Sequence, residues 1–405
     1  MVGIKLRHKD WEKKTLWEMV EFEKKTNWPA KWPNISNKKD ERFKYDYLVS
    51  WKEKKYTDNP TFDWEYISIW DGWWFNIFYE NWKFWASWHN FVFSAKKDIN
   101  LNNKFLYYNL LFLWDEINKL YTWIWMKNIK KTSLTNVKIL LPPLEIQNQI
   151  VSYLDKQFEK IQPMKENLEK YKQEVEKLKE SILEEVFGKM KGKYEKVNIK
   201  NISENVNNLN KDNIDEYDNY KYIDINSIDN KKYIILDSLI KNYSNDNLPV
   251  RAKQKIKKWD ILFSLTRPYL KNIAIVNYNF SNLLASTAFY VFRVSNNKSK
   301  KYNFKNVNNK YVFYFFISNN FINLVNSKTK SDPPAIPKKD FEKLYFSFPP
   351  LEIQNQIVSY LDKQFLHINR LKDNIEKQQE NIENLKKALL NEIFGVVDEE
   401  KLKDE

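Results

Sequence analysis

Lysine and arginine are the residues whose number in this chain points to a chemistry, and that chemistry is the binding of anions. The 405 residues include 67 Lys and Arg against 53 Asp and Glu, which gives a formal net charge of +14. This excess favours a polyanion as the partner. Cysteine is absent, and histidine occurs only at His8, His89 and His367. A disulfide framework and a cysteine nucleophile are therefore excluded, and little material is left for a histidine-based metal site or triad.

One short segment is similar to a catalytic motif. The stretch Asp332-Pro333-Pro334-Ala335 resembles the Asp/Asn-Pro-Pro-aromatic motif of amino-methyltransferases, whose polar residue and carbonyl hold the target amine. Alanine at the fourth position offers no ring to stack on a flipped base. A chain with only 5 glycines also lacks a glycine-rich turn that would bind the cofactor. Catalysis by this chain is therefore an alternative and not the leading hypothesis.

An internal repeat organises the chain. Residues 142–158 read PPLEIQNQIVSYLDKQF, and residues 349–365 repeat the same seventeen residues without a change, 207 positions later. The same offset relates Phe187-Gly188 to Phe394-Gly395. A constant offset over more than forty residues is expected of a rigid element of fixed length.

The repeated segment is predicted to be a long helix with a coiled-coil seam. Residues 144–187 contain no glycine, and apolar residues recur at steps of three and four. Such a helix is about 66 Å long, and its single apolar stripe needs a partner, the nearest of which is the second copy. The predicted seam consists of Leu154, Ile161, Leu168, Val175, Leu178 and Ile182 in the first copy and Leu361, Ile368, Leu371, Ile375, Ile382, Leu385 and Leu389 in the second.

Two globular segments alternate with these helices. The predicted boundaries are 1–141 for the first domain, 142–192 for the first helix, 193–348 for the second domain, and 349–405 for the second helix with a C-terminal tail. Both domains contain short β-type runs and an aromatic helical segment, so the predicted fold class is α+β. No apolar run approaches the roughly 18 residues of a membrane span, and no signal peptide is evident, so we expect a cytoplasmic protein.

This order of domains and helices resembles the specificity subunit of type I restriction–modification systems over essentially the whole chain. The most specific features are the Pro-Pro-Leu-Glu-Ile-Gln-Asn-Gln boxes at 142–149 and 349–356. The stretch Lys258-Trp259-Asp260-Ile261-Leu262 is similar to the Lys-Gly-Asp-Ile-Leu common in that family. Thr15-Leu16-Trp17-Glu18 is similar to a stretch in which Leu-Gly-Glu is usual.

The resemblance implies a DNA reader without chemistry of its own. Each domain would be a target-recognition domain for one half of a split sequence in double-stranded DNA. The helices would form an antiparallel coiled coil that sets the spacer between the halves. Two modification subunits would dock around the helices and methylate adenine, and restriction (motor-nuclease) subunits could join them. No cofactor is expected on this chain, because S-adenosylmethionine, ATP and Mg are expected on the partner subunits.

In such a reader, basic side chains contact phosphates for affinity, while side chains at base edges choose the sequence. Arg267 is the first candidate for a base contact, because arginine can bind guanine with two hydrogen bonds and Pro268 stiffens its loop. The further candidates are Lys52, Lys54, Lys55, Lys83, Lys96 and Lys97 in the first domain and Arg251, Lys253, Lys255, Lys257, Lys258, Lys328 and Lys330 in the second.

Two alternatives remain open at this point. The chain could be a DNA-binding protein with its own adenine methyltransferase activity, or a coiled-coil scaffold whose domains bind protein. DNA retention that falls steeply with salt would favour the reader over the scaffold. Methyl transfer by this chain alone would favour the enzyme.

Tryptophan is abundant and glycine scarce, at 16 and 5 residues. Trp17 and Trp259 stand where the resembling family usually has glycine, which permits a positive φ that tryptophan adopts only with strain. We hypothesise that some of these tryptophans come from UGA codons that the source reads as glycine. UGG codons at these positions would contradict the hypothesis. The alternative is that the rings stack on bases.

Overall fold

Two compact units divide the chain. The computed structural model describes residues 11–23, 33–48, 55–72, 76–123, 127–206, 208–209, 219–294 and 307–395. Unit 1 comprises Met1–Leu168 and Glu376–Glu405, and unit 2 comprises Glu169–Ile375. Each unit therefore holds one globular segment together with part of each long helix.

Unit 1 is built on two four-stranded sheets. Their orders are β2-β9-β6-β7, which is antiparallel, and β3-β5-β4-β8, in which β4 and β8 run parallel. The strands are β1 (Glu12–Thr15), β2 (Val20–Phe22), β3 (Ile35–Ser36), β4 (Tyr45–Leu48), β5 (Lys55–Thr57), β6 (Tyr66–Trp70), β7 (Ile77–Glu80), β8 (Phe84–Ala86), β9 (Asn90–Ala95), β10 (Thr122–Trp123), β11 (Lys127–Asn128) and β12 (Lys138–Leu141). The helices are α1 (Leu16–Met19), α2 (Asn103–Phe112), α3 (Trp114–Lys119) and α4 (Lys131–Thr135).

The long helix α5 (Leu144–Met190) continues from unit 1 into unit 2, which has a sheet of order β17-β14-β21-β18 and another of order β20-β19-β22. Strands β14 and β21 run parallel. The strands are β13 (Lys196–Asn198), β14 (Asn219–Ile223), β15 (Ile228–Asp229), β16 (Ile234–Ile235), β17 (Lys241–Ser244), β18 (Ala252–Lys255), β19 (Ile261–Ser264), β20 (Ile273–Ile275), β21 (Leu283–Ser286), β22 (Phe289–Phe292) and β23 (Tyr345–Ser347). The helices are α6 (Ile199–Ile202), α7 (Asn309–Ile317), α8 (Asn319–Asn326), α9 (Lys338–Glu342) and α10 (Leu351–Phe394). The predicted α+β class is confirmed.

Aromatic side chains form much of the core of unit 2. Phe263 on β19 and Phe292 on β22 point to the same side as Phe316 and Phe321 from α7 and α8, and all four are at most 1% exposed. The ring centroids of Phe263 and Phe316 lie 5.6 Å apart, edge to face. Because such rings bury large apolar areas, they fix the sheet against the helices.

The two long helices pair antiparallel within each unit. In unit 1, Tyr153 lies 3.5 Å from Glu392, and Lys165 lies 3.3 Å from Glu383. The partner number falls as the residue number rises, so the two segments run in opposite directions. In unit 2, Lys372 binds Glu176 at 2.5 Å. The predicted antiparallel pairing within the chain is confirmed.

The structure differs from the predicted seam at two equivalent positions. Leu178 and Leu385 are 42% and 45% exposed. The next residue turns inward instead: Lys179 is 7% exposed, and the side chain of Lys386 is 26% exposed. Of the other predicted positions, Leu154, Ile161, Ile182, Leu361, Ile368, Ile375 and Ile382 are buried, and Leu168, Val175, Leu371 and Leu389 are half-buried.

Trp259 has the backbone conformation of a glycine. Its φ is +76°, in the left-handed region, and its side chain is 48% exposed. Left-handed backbone costs a residue with a Cβ roughly 1–2 kcal/mol, whereas glycine adopts it freely. The bulky ring therefore sits at this turn without the burial that would compensate for the strain, as the glycine hypothesis predicts for this position.

Trp259→Gly is expected to stabilise unit 2 by about 1 kcal/mol, or about 2–4 °C in the melting temperature of a domain of this size. Thermal unfolding followed by circular dichroism would measure the change. Trp64→Gly is the matched control, because Trp64 is 69% exposed and is absent from the positive-φ residues. That control should lose stability. Equal losses at both positions would contradict the expected relief of strain.

Candidate nucleic-acid interface

A cleft of about 990 Å³ opens in unit 2 at the ends of its sheets. Its walls come from the segments 222–230, 249–251 and 266–272, together with Tyr243, Ser286, Ala288 and Pro333. Arg251 and Arg267 both line it and are exposed. Within the part of the chain that the structure describes, neither guanidinium group has an ion pair or a side-chain hydrogen bond. The cleft therefore presents two uncommitted arginines to a ligand.

Two interlocked loops hold Arg267 in place. Its φ of +47° and ψ of +57° are left-handed, as are Lys271 and Ser331 with φ of +53° and +80°. The backbone N–H of Arg267 donates to the carbonyl of Pro334 at 2.7 Å. Left-handed residues other than glycine are costly and cluster at ligand sites, where the surrounding structure holds them. Arg267 is therefore presented from a braced loop.

The same contact gives the Asp332–Ala335 segment a structural role. The carbonyl of Pro334 is occupied by Arg267, and Ala335 exchanges two backbone hydrogen bonds with Lys330, at 2.7 and 3.1 Å. The observed arrangement is that of a loop brace.

The motif around Asp260 anchors the strand that leads to Arg267. Asp260 is 1% exposed and accepts hydrogen bonds from Arg293 at 2.8 and 2.6 Å. It also accepts one from the backbone N–H of Lys257 at 2.8 Å. Burial raises the pKa of the Asp260 carboxyl, and the hydrogen bonds from Arg293 oppose that shift. The buried pair of Asp260 and Arg293 fixes the turn before β19. The motif therefore stabilises the fold of unit 2.

The other candidates of unit 2 do not line this cleft. Lys253 and Lys255 lie on β18, and Lys257 and Lys258 lie in the turn before β19. Lys330 forms an ion pair of 2.9 Å with Asp340. Lys328 lines a different pocket of about 710 Å³, beside Lys191 and Lys343. The structure thus brings together only two of the residues predicted here, Arg251 and Arg267.

The candidates of unit 1 are more scattered. Lys52 and Lys54 lie outside the described residues, Lys55 is half-buried on β5, and Lys83 is exposed before β8. Lys96 donates from Nζ to the carbonyls of Trp17 and Glu18, at 2.8 and 3.0 Å. Lys96 thereby supplies hydrogen-bond donors to carbonyl groups in the last turn of α1. With its exposed neighbour Lys97 it lines a pocket of about 530 Å³.

The repeated boxes fasten each globular segment to its long helix. Gln147 and Gln354 are both 0% exposed. Gln354 donates to the carbonyl of Pro349 at 2.8 Å and accepts from the N–H of Asn308, the N-cap of α7, at 2.9 Å. Gln147 does the same in unit 1, with Pro142 and Asn102 at 2.8 Å each.

An aspartate two turns further along each helix completes the junction. Asp362 accepts from Tyr314 at 2.6 Å and from Lys310 at 2.7 Å. Asp155 accepts from Tyr108 and Lys104 at 2.5 and 2.7 Å. Because charge-assisted hydrogen bonds of this kind are strong and directional, each box is explained as a joint between domain and helix. The repeat is visible in the sequence, but this role is visible only in the structure.

The described ranges contain neither a metal-binding cluster nor a membrane-spanning helix. These residues contain no group of three or more His, Asp or Glu side chains placed to hold a metal ion. None of their helices is both long and apolar enough to cross a membrane.

A duplicated α+β domain, each copy fastened to a long helix by the same joint, defines the architectural class. The family model described as the type I restriction modification DNA specificity domain matches residues 8–173 and 191–384. The chain therefore belongs to this family, that of the DNA specificity component of type I systems. No curated protein matches the chain in a sequence search.

Solved structures similar to the chain include the following three. The first comes from work on the structural basis underlying complex assembly and conformational transition of the type I R-M system. It matches with a TM-score of 0.63 and 16% identity. It covers 95% of this chain and 97% of that one, which supports the shared fold. The HsdS subunit from Thermoanaerobacter tengcongensis is 25% identical over 51% of this chain, with a TM-score of 0.41, and the match spans 50% of that subunit. The S subunit from M. genitalium is 15% identical, with a TM-score of 0.39, over 98% of both chains.

Proposed function

We propose that this chain binds a split target in double-stranded DNA, with each unit reading one half, and that it docks modification subunits that methylate adenine. In this proposal the chain performs no chemistry itself. S-adenosylmethionine, and ATP and Mg where restriction subunits join, belong to the partner proteins, and the assembly acts in the cytoplasm.

The cleft with Arg251 and Arg267 is the observation that carries this proposal. Arginine can bind guanine through two parallel hydrogen bonds at the major-groove edge, provided its guanidinium is free and its backbone is fixed. Arg267 meets both conditions, because its loop is braced by Pro334 and its side chain has no partner among the described residues. The net charge of +14 adds the phosphate attraction that every DNA reader needs.

A domain exchange tests the proposal. The chain would be co-expressed with a modification subunit from the same source, and methylated adenines would be mapped across the DNA. We expect a motif of two defined halves separated by a spacer. Replacing residues 193–348 with the corresponding domain of another family member should change one half and leave the other intact.

Three results would count against the proposal. An exchange that altered both halves, or neither, would contradict the assignment of one half to each unit. Methylation by the purified chain without a partner would favour the enzyme alternative. Failure of the unaltered chain to bind duplex DNA at any salt concentration would favour a protein-binding scaffold.

A further inference from the structure

The polar side chains of the cleft in unit 2 are mostly committed to the protein. Asp224 forms an ion pair of 3.0 Å with Lys241, and Asn230 donates to the carbonyl of Leu270 at 2.8 Å. Asn272 is only 8% exposed. Asp224 and Asn230 are therefore already engaged within the protein, and Asn272 is largely buried.

Asn226 is different from these residues. It lines the cleft together with Arg251 and Arg267 and is exposed. Its side-chain amide has no hydrogen-bond partner among the residues that the structure describes. Asn226, Arg251 and Arg267 thus share two properties. Each side chain is exposed in the cleft and can form two parallel hydrogen bonds with a ligand, and none of the three is hydrogen-bonded to the described part of the protein through its side chain.

The backbone of Asn226 is held rigidly. The residue lies in a 3-10 turn, Ile225–Ser227, directly after β14, which is a central strand of its sheet. Its N–H donates to Oδ1 of Asp224 at 2.9 Å, and the N–H of Asp224 donates to the hydroxyl of Ser227 at 3.2 Å. The ion pair with Lys241 holds Asp224 in turn. A fixed backbone reduces the ordering that binding requires.

We propose that Asn226 reads an adenine in the half-site bound by unit 2, an inference that rests on the proposed function. The asparagine amide offers one acceptor and one donor group side by side. In the major groove, adenine offers the complementary pair, the N6 amino group and the N7 acceptor. Arg251 and Arg267, which only donate, suit guanine. We therefore expect the half-site of unit 2 to contain both an adenine and a guanine.

Selection from random duplexes tests the proposal. The full-length chain, alone and with its modification subunits, would be compared with Asn226→Ala, Arg267→Ala and Asn242→Ala. Asn242 is the matched control, because it is exposed on β17 and does not line the cleft. Asn226→Ala should lose one adenine preference, within the half in which Arg267→Ala loses a guanine. Asn242→Ala should retain the whole motif.

Replacing that adenine by 7-deazaadenine, which lacks the N7 acceptor, is the sharper measurement. The affinity of the unaltered chain should fall by about 2- to 12-fold, the range for the loss of one of the two hydrogen bonds. The affinity of Asn226→Ala, already reduced, should not fall further.

The outcomes separate this inference from the proposed function. If the unaltered chain reads a split motif but Asn226→Ala keeps every base preference, the inference is wrong and the function stands. A uniform loss of affinity on all sequences would place Asn226 on a phosphate and also overturn the inference. If the unaltered chain selects no duplex, both fall together.

Discussion

Replacing Asp260 by Ala is expected to lower the free energy of unfolding of unit 2 by about 3–5 kcal/mol. The substitution leaves the guanidinium of Arg293, whose side chain is 15% exposed, without the carboxylate that it binds twice. It also leaves the N–H of Lys257 without its acceptor. An uncompensated buried charge is costly, and Glu204, 3.9 Å from Arg293, is too distant to replace two short hydrogen bonds. Urea denaturation followed by circular dichroism would measure the loss.

Two further variants show whether burial or charge alone explains the loss at Asp260. One removes a carboxylate from a more exposed ion pair, and the other removes both charges of the buried pair. Asp340→Ala removes the partly exposed carboxylate that Lys330 and Lys343 contact, and a loss of at most about 1 kcal/mol is expected because water screens such pairs. The double variant Asp260→Leu, Arg293→Leu should recover most of the stability, since no buried charge is left alone. A loss at Asp260 no larger than that at Asp340 would contradict the role given to the buried pair.

Replacing Lys179 by Met is expected to stabilise unit 2 by about 1–3 kcal/mol at pH 7. Burial lowers the pKa of Lys179 from its ordinary 10.5 to about 8. Its ammonium group finds only partial compensation, from the carbonyl of Lys231 at 3.2 Å and the rings of Tyr233 and Phe365 at 4.3 and 4.9 Å. Methionine fills similar space without the charge.

The pH dependence has a defined sign. Between pH 8 and 10.5 the unfolded chain holds a proton at Lys179 that the folded chain has lost, so the stability of the unaltered protein should rise across this window. Lys179→Met should lack that rise. Lys386→Met, at the equivalent position of the second copy, is the control and should show a smaller gain, because Lys386 is more exposed. Destabilisation of Lys179→Met at pH 7 would mean that the carbonyl and ring contacts outweigh the cost of burial.

The helices could be predicted because their signals are local. The proline pair at the start of each box, the lack of glycine and a repeated apolar period all act within a few residues of one another. The predicted seam was wrong at Leu178. The prediction chose position 178 over position 179 because leucine is apolar and lysine is charged. The packed helices instead turn position 179 inward, where the long stem of Lys179 is buried and its ammonium reaches a carbonyl.

The cleft could be predicted only in part. Arg267 was identifiable from its own loop, with a β-type run before it and a proline after it. Asn226 was not, because nothing near it in the sequence distinguishes it from the many other asparagines of the chain. Its place in the cleft arises only when β14 and β21 pair in parallel and the loops at the sheet ends come together around one cavity. That pairing joins residues some sixty positions apart, for example Lys221 with Leu283.

The joint built by Gln147 and Asp155 in one unit, and by Gln354 and Asp362 in the other, has an evolutionary consequence. Both sockets present the same groups, so a globular segment that supplies the matching asparagine, lysine and tyrosine from its helix would fit either of them. Homologous recombination within the coding regions of the identical boxes would then exchange whole globular segments while the hydrogen bonds of this joint are kept. If each segment reads one half of the target as proposed, such an exchange gives a new target in one step, while the joint between segment and helix stays the same.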